Sequence, residues 1–222
     1  MKQDIPPCIR SSGLQFNWIM KIICIGQNYR EHAKELNNPI PKVPVFFMKQ
    51  ESCIVRNNKP FYYPDFSEKI HYEVEIVFKI GRVGKRIEKK FASRYYSEIG
   101  LGIDFTARDL QEIARKAGLP WEISKAFDNS APLSRFMSGK EFGNINNIHF
   151  HLDLNGKTVQ QSSTKDMIFP VDELISYVSQ FITLKTGDLL FTGTPSGVGP
   201  VKVGDHLEGY IEGKKMLDFY VR

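Results

Sequence analysis

The chain has 222 residues, 41% hydrophobic and 25% charged, with 30 Lys and Arg against 25 Asp and Glu for a formal net charge of +5. These proportions are those of an ordinary globular protein and exclude a disordered or fibrous chain, and the length suits one compact domain rather than two. The basic residues are interleaved with acids except at Lys85, Arg86, Lys89 and Lys90, a run that reads as a solvated face, so no nucleic-acid partner is expected.

In chain order, residues 1–20 carry Asp4, Pro6 and Pro7 and lack the apolar run of a signal-peptide core, and are read as an irregular leader before a single domain over 21–222. Ile22, Ile23, Cys24 and Ile25 form an apolar run closed by Gly26, the pattern of a buried strand. A helix is predicted over 29–36, ended by Asn37, Asn38, Pro39 and Pro41. Strands follow at 45–48, 53–55, 73–80 and 98–105, and a helix over 107–117 stopped by Gly118 and Pro120. Strands at 149–154 and 158–162 flank Asn155-Gly156, the strongest short hairpin signal, and an amphipathic helix follows Pro170 over 171–181. A second hairpin is predicted around Glu212-Gly213. No repeat or low-complexity tract interrupts this series, and the excess of strands over three modest helices predicts a β-rich α+β fold.

Cys8, Cys24 and Cys53 have neither the even count of a disulfide framework nor the CxxC spacing of a zinc site. A reducing compartment is therefore expected, and no segment is long and apolar enough for a membrane partner.

Several residues carry chemical potential. Glu73 and Glu75 lie two apart in a strand pattern, which puts both carboxylates on one face, opposite Val74 and Ile76. Alone, such a pair is more often an amphipathic edge with two solvated acids. Asp104 alters the balance, because among Leu101, Ile103 and Phe105 an unpaired carboxylate is costly to bury; its other reading is a turn residue or cap before Thr106. Three carboxylates suit a hard cation, Mg²⁺ or Mn²⁺, rather than zinc. His32 and Glu35 share a helix face and fit either a base with its orienting carboxylate or a surface pair. Lys125 fits either a snorkelling side chain or a cation poised at a developing enolate. The stretch 188–199 runs from a strand into a Gly/Pro/Ser/Thr loop whose N–H groups suit an anion, but it lacks the ending of a nucleotide P-loop.

Taken together, Cys24-Ile-Gly-Gln-Asn-Tyr-Arg-Glu-His-Ala-Lys-Glu35, His71-Tyr-Glu-Val-Glu75, Asp104-Phe-Thr-Ala-Arg-Asp-Leu-Gln111, Gly118-Leu-Pro-Trp121, Ser124-Lys125 and Thr192-Gly-Thr-Pro-Ser-Gly-Val-Gly199 resemble the fumarylacetoacetate hydrolase superfamily, in its short acylpyruvase and oxaloacetate decarboxylase branch. The resemblance implies a mixed β roll with a few short helices, commonly a homodimer. It places Glu73, Glu75 and Asp104 on the metal ligands, His32 and Glu35 on the dyad of a helix that orders over substrate, and Lys125 on the active-site lysine. Arg108, Gln111 and Thr194 match positions that contact the substrate's carboxylate and oxo groups. Lys49, grouped with them, matches a lysine after an aromatic strand, and Gln50 stands where the family often has Pro.

The implied activity is cleavage of a small 2-oxo acid through a pyruvate enolate, by acylpyruvate hydrolysis or oxaloacetate decarboxylation. Oxaloacetate keto–enol tautomerisation fits the same site, and a non-catalytic metal-binding protein is the more distant alternative. The expected location is the cytoplasm, or the mitochondrion if the source is a eukaryote.

Overall fold

A computed structural model describes residues 21–36 and 39–222. The leader, Cys8 and the Asn37-Asn38 pair of the predicted helix stop lie outside the described residues. Six strands form the largest sheet, in the order Val45–Lys49, Ile22–Gly26, Leu189–Phe191, Val74–Ile80, Tyr96–Ile103, Met137–Ser138. Ile22–Gly26 runs parallel to Leu189–Phe191 and the other pairs are antiparallel. The second sheet has the order Lys157–Ser163, His149–Leu154, His206–Ile211, Lys214–Tyr220. Two small sheets join Gly199–Pro200, Ile70–Tyr72 and Thr106–Ala107, and Ile54–Val55 with Ala131–Pro132. This is the β-rich mixed fold expected.

Both hairpins form where turn chemistry placed them. Asn155 and Gly156 take φ of 53° and 77°, and Glu212 and Gly213 take 48° and 72°, the left-handed pair that lets a two-residue turn follow the twist of its strands. Glu212 is an unusual residue there, and its carboxylate accepts a hydrogen bond from the His149 backbone N–H at 2.6 Å, which offsets the strain.

The described residues hold four α-helices: α1 (Arg30–Glu35), α2 (Arg108–Ala117), α3 (Glu122–Lys125) and α4 (Val171–Phe181). α4 has the predicted bounds and buries Val171, Leu174, Ile175 and Val178, each contributing about 1.5–3 kcal/mol of apolar transfer. Between the sheets, Phe61 stacks on Phe105 at 4.0 Å and Phe219 meets Phe105 edge-on.

Four expectations are corrected. α3 lies in an apolar run that carried no helix period, and at four residues it is too short to show one. Cys53 belongs to a 3₁₀ turn, Glu51–Cys53, so the strand begins at Ile54. Asp104 and Phe105 fall beyond the end of strand Tyr96–Ile103. Glu73 occupies the break between Ile70–Tyr72 and Val74–Ile80, where the chain passes from one sheet to another. Neither it nor Glu75 is a solvated edge residue, since Val74–Ile80 is a central strand covered on both faces.

Candidate active site

The change of sheet at Glu73 draws the acids together. The N–H of Asp104 donates to the backbone carbonyl of Glu73 at 2.8 Å, so the residue leaving strand Tyr96–Ile103 sits beside the residue entering strand Val74–Ile80. Glu75 follows one pleat on. Glu73, Glu75 and Asp104 are 5%, 1% and 1% exposed, and each offers a carboxylate oxygen within 4.8 Å of the others.

Three buried like charges at that spacing repel strongly, and cations surround two of them. Arg108, the first residue of α2, donates to Glu73. Lys125, the last residue of α3, donates from Nζ to Glu73 Oε2 at 2.9 Å and to Asp104 Oδ2 at 2.8 Å. Lys49 Nζ lies 2.8 Å from Asp104 Oδ1. Glu75 instead accepts the backbone N–H of Gly193 at 2.7 Å. Gly193 has φ of 97°, and a Cβ there would lie 2.8 Å from the Asn28 Cβ, so the approach requires glycine.

Titration follows from these contacts. Burial alone would raise the Glu73 carboxyl, but the charges of Lys125 and Arg108 pull it well below the usual carboxylate range. Burial, then the charges of Asp104 and Glu73, push the Glu75 carboxyl well above that range. Burial opposes the Lys125 ammonium, yet Asp104 and Glu73 raise its pKa. The site is thus a nearly balanced charge array with one strained acid.

A cavity of about 40 Å³ opens on these acids and is also lined by His32, Leu36, Phe47, Arg108, Gln111, Arg115, Trp121, Lys125 and Thr194. That is room for a few waters at most. α1 forms its cover. His32 Nδ1 lies 3.0 Å from Glu35 Oε2, and Glu35 Oε1 accepts the Gly197 N–H at 2.9 Å. Because a carboxylate only accepts, Nδ1 carries a hydrogen, and in the neutral ring Nε2 is then the basic nitrogen. A roomier cavity of about 500 Å³ beside Arg56, Asn58 and Arg135 has no carboxylate in its lining and offers no comparable chemistry.

Residues 21–222 match the C-terminal domain of fumarylacetoacetate (FAA) hydrolase. The chain belongs to the fumarylacetoacetate hydrolase family. It is 43% identical over 194 residues to the mitochondrial oxaloacetate decarboxylase of Dictyostelium discoideum, covering 87% of this chain and 89% of that protein. It is 37% identical over 207 residues to the mitochondrial oxaloacetate tautomerase of Mus musculus, covering 93% and 94%. The crystal structure of fumarylpyruvate hydrolase from Pseudomonas aeruginosa in complex with Mn²⁺ and pyruvate superposes with a TM-score of 0.87 at 36% identity, covering 91% of this chain and 89% of that one.

In this member of the fumarylacetoacetate hydrolase family, His32, Glu73, Glu75, Asp104, Arg108, Gln111, Lys125 and Thr194 all line the one cavity. Glu35 lies behind His32. Lys49 lies outside that lining. It shares a strand face with Phe47 but lies one pleat deeper, its side chain is 0% exposed, and its Nζ serves Asp104, Ser130 and the carbonyl of Lys125. It supports Asp104 from behind and does not face the cavity.

Three contributors went unnoticed in the sequence. Asn28 ties the approach to α1 to the Thr192 and Phe169 backbones. Gln160 bonds Thr194, and Ser130 holds Lys49. All three are fully buried polar residues. In Asn28 the only signal was its place in the Gly-Gln-Asn-Tyr segment; for the other two there was none, since their partners are remote in sequence.

Proposed function

We propose that residues 21–222 form a single catalytic domain that binds Mg²⁺ or Mn²⁺ through Glu73, Glu75 and Asp104 and cleaves a small 2-oxo acid through a pyruvate enolate, by acylpyruvate hydrolysis, oxaloacetate decarboxylation or both. The observation that carries this reading is the convergence of three buried carboxylates, of which Glu75 makes no ion-pair contact with a cation among the described residues. An all-oxygen set suits a hard divalent ion. When bound, the ion supplies a Lewis-acid charge that stabilises an enolate and relieves Glu75. Three acids already face three cations, so a divalent charge leaves the site net positive, which matches a dianion such as oxaloacetate.

The chain's own groups then divide the work. Arg108, Gln111 and Thr194 hold the substrate's carboxylate and oxo oxygens. Lys125 sets a second positive charge beside the reacting carbons. For hydrolysis, His32 Nε2 takes a proton from water while Glu35 steadies the imidazolium, which is worth roughly two to four orders of magnitude in rate. Decarboxylation needs no water, and there α1 serves to exclude solvent.

A second reading, oxaloacetate keto–enol tautomerase, is favoured by the name of the Mus musculus relative and uses His32 to move a proton at C3 without breaking a carbon–carbon bond. Both relatives named above are mitochondrial, which supports that location if the source is a eukaryote; the cytoplasm is the reading for any other source. Among the described residues no helix is long and apolar enough to cross a membrane. A homodimer is supported by the edge strand Val45–Lys49, whose exposed Val45 and Met48 lie next to Leu119 in one open apolar groove.

The test is product analysis with acetylpyruvate, fumarylpyruvate and keto and enol oxaloacetate, each with Mg²⁺ or Mn²⁺. Pyruvate release supports cleavage, enol–keto exchange alone supports the tautomerase, and metal binding without turnover supports a non-catalytic protein.

A further inference from the structure

Gln160 lies in strand Lys157–Ser163, where every residue but Val159 is polar and Lys157, Thr158 and Gln161 are exposed, yet it is 1% exposed itself. Its Oε1 accepts the Val74 backbone N–H at 2.9 Å, and Val74 is the residue between the two glutamates. Its Nε2 donates to the Pro195 carbonyl and to Thr194 Oγ1, both at 2.9 Å. Two of these partners have fixed polarity. A backbone N–H only donates and a carbonyl only accepts, so the amide has one orientation that satisfies both. The NH₂ group must then face Thr194, and the Thr194 hydroxyl must accept. Among the described residues no acceptor takes the hydrogen that Thr194 still carries, and Thr194 lines the cavity.

We propose that Gln160 is a positioning residue that fixes the Thr194 hydroxyl as a hydrogen-bond donor aimed into the cavity, where it receives a carboxylate or oxo oxygen of the substrate. The same amide ties the loop bearing Thr194 to the peptide between Glu73 and Glu75, so donor and acids keep their spacing. Without Gln160 nothing fixes the hydroxyl as a donor, and ordering it toward the anion then costs part of the binding. This rests on the proposed binding of a 2-oxo acid, and the test separates the two.

The probe is oxalate, titrated calorimetrically into Mn²⁺-loaded protein, with the melting temperature and Mn²⁺ affinity of each variant measured alongside. Gln160→Met keeps the volume and loses all three hydrogen bonds. Gln160→Glu keeps the bond from Val74 but cannot donate to Thr194, and it serves if Gln160→Met does not fold. Loss of a hydrogen bond to a charged group predicts roughly tenfold or more weaker oxalate binding for either variant and for Thr194→Val. Because Gln160 acts through Thr194, the variant with both changes should bind oxalate about as weakly as Thr194→Val alone. Losses that multiply, or a lower melting temperature with wild-type oxalate affinity, overturn the proposal, as does wild-type protein that binds no oxalate. Wild-type protein that binds oxalate with this coupling but turns over no 2-oxo acid sinks the functional reading and leaves the role of Gln160 standing.

Discussion

Glu75→Gln should stabilise the metal-free protein and weaken its response to metal. Glu75 is buried with carboxylate oxygens of Glu73 and Asp104 within 4.8 Å, and it is held by one backbone N–H. At an effective dielectric constant of about 20, each like-charged pair at that distance costs about 3.5 kcal/mol. Lys49, Lys125 and Arg108 offset much of this from the Asp104 and Glu73 sides, so a net gain of about 2 kcal/mol is expected on neutralising Glu75. For a chain of this size that is a rise of about 4–8 °C in melting temperature.

The pH dependence fixes the sign. A carboxyl whose folded pKa is raised contributes stability at low pH that is lost as pH rises from its unfolded value of about 4.3 through the folded one. The variant's advantage should therefore grow with pH over that window. Glu73, shifted down, works oppositely, and its contribution fades as pH falls below about 4.3. Metal reverses the order, since at a hundredfold excess over Kd it adds about 2.7 kcal/mol to wild type. Differential scanning at several pH values with and without Mn²⁺ measures all of this. A metal-free variant less stable than wild type, or one with an undiminished Mn²⁺ shift, refutes the reasoning.

Other consequences are as direct. Amides over 30–35 and at Gly197 should gain hydrogen-exchange protection on adding oxalate and Mn²⁺, because α1 must lift from a cavity of about 40 Å³ to admit substrate; equal exchange in both states removes α1 as a lid. His32→Ala should cut acylpyruvate hydrolysis by ~100-fold or more and oxaloacetate decarboxylation by less, whereas Lys125→Ala should depress both; equal losses for His32→Ala remove the water-activating dyad. Sedimentation should show a dimer that Met48→Asp weakens, and an unchanged assembly sinks the edge-strand interface.

What was legible in the sequence is what is decided locally. Asn155-Gly156 and Glu212-Gly213 dictate their turns by backbone conformation. The apolar period of α4 needs only its own eleven residues. The site residues were legible as scattered polar groups in apolar segments, and the family resemblance supplied their grouping. The rest depends on chain crossings that no window contains. The alternation reads Glu73 as part of one continuous strand, because the break at a sheet crossing leaves no mark in it. The depth of Lys49 follows from Asp104 and Ser130, more than 50 residues away. Gln160 stands in a polar strand beside an identical but exposed Gln161, and its partners are 86 and 34 residues distant.

The central claim is that Glu73, Glu75 and Asp104 hold one divalent ion on which turnover of a 2-oxo acid depends. The direct measurement is a calorimetric titration of Mn²⁺ into metal-stripped wild type and into Glu73→Ala, Glu75→Ala and Asp104→Ala, with pyruvate release from oxaloacetate and acetylpyruvate followed on the same samples. The account predicts one site per chain in wild type, weakened affinity in every variant, and pyruvate release that rises with occupancy of that site. Wild-type Mn²⁺ affinity in all three variants, or full turnover in the stripped protein, would contradict it.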